Sequence, residues 1–146
     1  MKKTLLAITT LTLLTFGSCK KDDDDNGEKE VTKETLAGDY KLASVWAKYG
    51  SFDEMEVTED YLEECVLDDK LTLKTDFTFL RTDTGLKCNP PGDDSGTWAL
   101  PGNNKIVIEG REMTIIKWDG KELHGSAIEN IPFFGQATVT LKFNKL

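Results

Sequence analysis

Gln136-Ala137-Thr138-Val139-Thr140-Leu141-Lys142-Phe143-Asn144 alternates apolar and polar residues without a break. Ala137, Val139, Leu141 and Phe143 fall on one side, and Thr138, Thr140, Lys142 and Asn144 on the other. That is the period of two expected of a half-buried β-strand. Upstream, Asp119-Gly120 predicts a two-residue type I′ turn, which needs positive φ at both positions. Such a turn sets Trp118 opposite Lys121, Lys117 opposite Glu122 and Ile116 opposite Leu123, with Ile115 facing His124 on the other side. The second pair joins opposite charges and the third supplies a core contact.

The same period recurs toward the N-terminus. Ile106 and Ile108 share a side, as do Trp98 with Leu100 and Phe77 with Phe79. In the first strand Tyr40, Leu42 and Trp46 share one face, and Lys41, Ala43 and Val45 the other. Asn89-Pro90-Pro91-Gly92 and Pro101-Gly102-Asn103-Asn104 read as breaks between strands. Residues 51–64 are acidic and irregular, with Met55, Tyr61 and Leu62 on one or two helical turns. About eight strands result, over 38–47, 69–75, 77–83, 95–100, 104–109, 111–118, 121–128 and 136–144. The short later links favour an all-β, antiparallel up-and-down barrel, whose closure removes two exposed edges. A β-sandwich is the alternative. A barrel of this size is either filled by side chains or left open for one small ligand.

The opening Leu36-Ala37-Gly38-Asp39-Tyr40-Lys41-Leu42, the segment Asp69-Lys70-Leu71-Thr72-Leu73 with Phe77-Thr78-Phe79, and Gly96-Thr97-Trp98-Ala99-Leu100 together resemble a lipocalin-like domain. It is of the small kind carried by surface lipoproteins of Bacteroidetes-type bacteria. The likeness spans residues 36–146. Tyr40 stands where many lipocalins have tryptophan, and the turn after Leu73 lacks the usual glycine. The resemblance implies the barrel and the binding of a small hydrophobic ligand.

The first residues carry a different message. Lys2 and Lys3 precede an apolar run over 5–16, then Gly17-Ser18-Cys19. That run is too short to span a bilayer as a helix, which takes about 20 residues, and fits a signal peptide. Phe16-Gly17-Ser18-Cys19 resembles the lipobox of bacterial lipoproteins, which implies cleavage before Cys19 and lipid on its sulfur. The run Lys20-Lys21-Asp22-Asp23-Asp24-Asp25 resembles the export tag of surface-exposed lipoproteins. The expected organisation is a signal peptide over 1–18, a lipidated N-terminus and flexible tether over 19–33, and the barrel domain over 34–146. The membrane, through Cys19, is the first expected partner, and the outer membrane facing the cell exterior is the expected location.

Formal charge is −8 for the chain and two units lower, −10, once Lys2 and Lys3 are removed. Nucleic acid, which binds through phosphate neutralisation, is excluded as a partner. With Cys19 lipidated, Cys65 and Cys88 remain, and an exported pair reads first as a disulfide, with two buried free thiols as the rival. Their midpoint falls at 76–77, in the turn between strands 69–75 and 77–83. Positions equidistant from a hairpin turn lie opposite one another.

No cofactor or metal is expected, since His124 is the sole histidine and neither a Cys-x-x-Cys pair nor a phosphate-binding glycine loop occurs. Ser44, Ser95 and Ser126 lie in no nucleophile-elbow pattern, and Glu63-Glu64 and Asp93-Asp94 read as solvated carboxylates, so no catalytic residue is assigned. Tyr40, Trp46, Phe79 and Trp98 are the inward aromatics expected either to fill the barrel or to wall a ligand site. Phe133 and Phe134, in the apolar tip Ile131-Pro132-Phe133-Phe134-Gly135, are expected to cover the barrel mouth or to anchor an outer-membrane protein partner.

Overall fold

The computed structural model describes residues 28–102, 104–131 and 135–146. The expected signal peptide and Cys19 lie outside those residues. From a one-turn helix α1 (Lys33–Leu36) the chain runs through β1 (Gly38–Tyr49), β2 (Met55–Glu56), α2 (Thr58–Tyr61), α3 (Glu64–Leu67) and β3 (Lys70–Leu73). It continues through β4 (Thr78–Thr82), β5 (Asp94–Gly102), β6 (Lys105–Ile108), β7 (Arg111–Trp118), β8 (Glu122–Ile131) and β9 (Gly135–Lys145). Strands β3 to β9 pair antiparallel in sequence order, and β1 pairs with both β3 and β9. The β1–β9 ladder, from Tyr40↔Lys145 to Tyr49↔Ala137, closes the eight strands into a barrel and decides against two separate sheets. The expected up-and-down order is the order found.

Turns 74–77 and 119–121 lie at one end, the base. The connections 50–69, 83–93 and 109–110 lie at the other, the mouth. The base is packed solid. Leu36, Tyr40, Leu73, Phe79, Trp98, Ile106, Met113, Ile115, Trp118 and Leu123 form one buried cluster. Thr32 and Thr35 make a reciprocal capping box around α1, which satisfies two free N–H groups. That helix drops Leu36 into the base, where the Tyr40 hydroxyl donates to the Leu36 carbonyl at 2.5 Å. Burial raises the Tyr40 phenol well above its usual value. Lys145 Nζ donates to the Thr35 carbonyl at 2.8 Å, and Lys29 N donates to the Trp118 carbonyl at 2.8 Å. The segment leading into α1 therefore crosses the base.

Two bulges correct the sequence reading. The β1–β9 register shifts between Leu42 and Ser44. Past that point inward parity passes to Val45 and Ala47, both buried, so Trp46 faces out rather than in. Its Nε1 donates to Ser44 Oγ at 3.0 Å, and Lys142 Nζ sits 4.0 Å from its ring centroid. The β7–β8 register likewise shifts between Ile115 and Lys117. Ile115 is buried at 6 % exposure while Ile116 is 53 % exposed, so the expected Ile116–Leu123 core contact does not form.

The two-residue turn also sits elsewhere. Glu109 and Gly110 both have positive φ, 53° and 78°, and link Ile108 directly to its partner Arg111. At Asp119-Gly120 only the glycine has positive φ, and Trp118 pairs with Leu123. Asp119 Oδ1 accepts from the N–H groups of Lys121 (2.8 Å) and Glu122 (2.7 Å), which holds the longer loop. Lys117 still meets Glu122 as an ion pair.

Those two N–H groups, with the Lys117 ammonium adding to them, pull the Asp119 carboxyl down to about 2. A depressed carboxyl stabilises the fold above its unfolded value, near 3.8, and that contribution disappears as pH falls through about 2. Wild type is therefore expected to lose more stability than Asp119→Asn between pH 4.5 and pH 2, as read from urea midpoints at each pH. Equal losses in the two proteins would contradict the assignment.

Candidate functional site

β3 pairs with β1 only over Gly38 to Lys41, which leaves the upper edge of β1 without a long neighbour. Unpaired backbone groups there need partners, and the acidic stretch supplies them. β2 pairs at Trp46↔Glu56 and Ala47↔Met55. Val57 N donates to the Val45 carbonyl at 2.8 Å, and Val45 N donates to Thr58 Oγ1 at 2.9 Å. These bonds seat α2 and α3 across the mouth. Of the one or two helical turns expected in 51–64, α2 is present, α3 begins only at the last residue of that stretch, and Met55 belongs to a strand pair instead.

Under that roof lies a cavity of about 250 Å3. Leu42, Leu71, Leu141 and Phe143 wall it from the barrel, Tyr61, Leu62 and Val66 from the roof, and Asp69, Arg81 and Arg111 add charge. The Tyr61 hydroxyl donates to Glu129 Oε2 at 2.6 Å and receives a bond from Arg111 Nη2 at 3.1 Å. Arg111 also pairs with Glu129. Helix α2 is thus fastened to β7 and β8 across the opening.

The opposite wall is built by the 83–93 connection. Cys65 of α3 and Cys88 are joined by a disulfide with Cα atoms 5.3 Å apart. The pairing matches the hairpin symmetry, since Lys70↔Thr82 is the top rung of the β3–β4 ladder just below it. Asp83, buried, accepts through Oδ2 from Gly92 N (3.0 Å) and Cys88 N (3.3 Å). Asp93 Oδ1 accepts from Asp83 N at 2.9 Å, and Asp68 Oδ2 from Leu86 N at 2.7 Å. Asp93 therefore serves the loop backbone. Burial raises the Asp69 carboxyl; the Thr84 N–H opposes this, and the charges of Asp83 and Asp68 add to it.

Tyr40, Phe79 and Trp98 point inward but belong to the packed base, at 0 %, 1 % and 2 % exposure, and do not line the cavity. Trp46 is outside the barrel. Phe133 and Phe134 lie outside the described residues. The sequence reading overlooked Arg81 and Arg111. Arg81 shares the parity of inward Phe79, and Arg111 that of inward Met113. An arginine at a core-parity position of a strand was the available signal. His124, lowered by burial and by the Lys117 charge, has Nε2 3.3 Å from Glu122 Oε2. Both line the outer course of the hairpin ladder, away from the cavity lining.

A family model described as a lipocalin-like domain matches residues 26–129. The match ends within β8 and leaves out β9, the strand that closes the barrel. No curated protein and no solved structure matches the chain.

Proposed function

The chain belongs to the lipocalin-like domain family, and on that footing we propose that it is an exported, lipid-anchored binding protein whose barrel takes one small hydrophobic molecule at its mouth. The observation that carries this is the gap of about 250 Å3 between the roof of α2 and α3 and the apolar ends of β1, β3 and β9. Ligand sites are concave and mostly apolar with a few placed polar groups. At about 30 Å3 per water-sized group, the gap takes roughly eight such groups, the bulk of an octyl chain. Export and anchoring rest on the basic start, the short apolar run and Cys19; a cell-surface position in the outer membrane rests on the lysine-then-aspartate run. No catalytic step is assigned.

The test is calorimetric titration of 1-octanol into the mature chain, residues 19–146, carrying Cys19→Ser. Saturable one-to-one binding is expected, with a Kd of roughly 10 µM to 1 mM. Leu141→Trp, which puts an indole into the gap, should weaken it at least about tenfold. If neither octanol nor octanoate binds saturably, the ligand-binding reading is lost. Radiolabelled palmitate should mark the wild-type chain in cells and not Cys19→Ser.

A second reading makes the protein a non-catalytic interaction module that docks to an outer-membrane partner. It is favoured by a shelf beside the mouth, where Phe52 and Met55 are 71 % and 50 % exposed. With Tyr49, Val57 and Ile131 they line a groove of about 520 Å3. Exposed apolar patches mark contact sites. Crosslinking in intact cells should then yield a partner that Phe52→Asp loses; an unchanged set of products would count against docking there.

A further inference from the structure

The chain has two arginines, Arg81 and Arg111; its sixteen other basic residues are lysines. Both arginines line the mouth cavity, and among the described residues no lysine does. The two come from strands far apart in sequence, β4 and β7, yet they reach the same part of the rim. Arg81 Nη2 lies 3.4 Å from Glu109 Oε2, and Glu109 sits in the turn that immediately precedes Arg111.

Their present partners leave room for another. Arg81 pairs with Glu109 and, at 3.9 Å, with Asp94, and all three side chains are more than a third exposed. Exposed pairs of this kind contribute little and exchange readily. Arg111 holds Glu129 and the Tyr61 hydroxyl, and its side chain is 43 % exposed. In each arginine the contacts named use Nη2. A guanidinium carries five donors in a fixed planar fork suited to a carboxylate, which a lysine ammonium is not.

The carboxylate within the lining, Asp69, is raised by burial and lowered in turn by the Arg81 charge, so it draws on one of the two arginines. Asp69 turns toward the 83–93 wall. A Cβ on Gly92 would come within 3.3 Å of its Oδ2, and its Oδ1 is fully buried. Below the arginines the cavity is apolar, walled by Leu42, Leu141 and Phe143.

We propose, resting on the ligand-binding reading above, that this cavity selects a small amphipathic acid, with its tail against Leu42, Leu141 and Phe143 and its carboxylate at the rim between Arg81 and Arg111. Charge-assisted bonds to a guanidinium are about twice as strong as neutral ones. The acid should therefore outcompete the alcohol of the same chain length.

The experiment compares octanoate with 1-octanol on the mature chain, residues 19–146, carrying Cys19→Ser, by calorimetry at pH 7. Octanoate is expected to bind at least about tenfold tighter than octanol. Its advantage should shrink as salt rises from about 20 to about 500 mM, while octanol is unaffected. Arg81→Gln and Arg111→Gln should each weaken octanoate about fivefold or more and leave octanol within about twofold; Arg81→Lys should fall between wild type and Arg81→Gln. Octanol binding as tightly as octanoate, or variants that weaken both ligands alike, would overturn the proposal and leave the cavity as a general apolar site. Binding of neither ligand would remove the ligand-binding reading, and this one with it.

Discussion

Trp98→Ala is expected to cost about 3–5 kcal/mol, the usual range for deleting a fully packed indole. Small domains have only about 5–15 kcal/mol in total, so the variant should melt roughly 10 °C or more below wild type. The size follows from what the indole holds. Its ring sits in the packed base 5.2 Å from the Phe77 ring, centroid to centroid. Its Nε1 donates to the Lys74 carbonyl at 2.9 Å, and its backbone N–H donates to the Phe77 carbonyl at 2.9 Å. One residue therefore pins both ends of the β3–β4 turn to β5. Phe77 has φ of 64° in that turn, a conformation uncommon for a bulky side chain. Trp46→Ala is the matched control. Trp46 lies on the outer face with Lys142 over its ring, and such contacts contribute about 0.5–1 kcal/mol. Urea denaturation followed by circular dichroism ranks the two. Equal losses would refute the bulge that turns Trp46 outward.

Removal of the Cys65–Cys88 bond is expected to cost about 3 kcal/mol, from a closed loop with a sequence separation of 23. The bond joins α3 of the roof to the 83–93 wall, so its loss acts on the mouth while the base keeps its packing. Thermal unfolding of wild type with and without reductant should differ by roughly 10 °C. The Cys65→Ser/Cys88→Ser chain should melt like reduced wild type and ignore reductant. A wild-type melting point indifferent to reductant would show that the bond carries no stability. Octanoate affinity should fall in the same variant, because Tyr61, Leu62 and Val66 reach the cavity from helices that the bond steadies.

The strands were legible because each buries one face and so writes a period of two. Positions 136–144 show this, and β9 runs Gly135–Lys145 with Ala137 and Val139 buried. The bulges were not legible. Neither Ala43 nor Ile116 differs in type from an ordinary strand residue, yet at each the register slips by one and parity reverses. That slip moved Trp46 to the outside. The turns misled for a related reason. Glu109-Gly110 and Asp119-Gly120 both end in glycine, but the shorter Asp119 carboxylate reaches forward to two N–H groups and stabilises the longer loop. The cysteine pair was readable, because hairpin symmetry and the expected export gave the same answer.

The cavity was half legible. Leu42, Leu141 and Phe143 sit on faces recognised as inward. Whether an inward side chain packs or borders a gap depends on what stands across the barrel, which no local pattern records. At the base large aromatics meet in the centre. Near the mouth the side chains facing one another are leucines and a phenylalanine, with two arginines drawn toward water.

Lys29 bonded to the Trp118 carbonyl fixes where the described chain enters the molecule. Its leading end departs from the floor of the vessel, opposite the opening. If Cys19 carries acyl chains as proposed, the nine residues from there to Glu28 span at most about 30 Å. On the proposed anchoring, the lipid would then lie on the side of the floor, and solutes would meet the opening without first crossing that side.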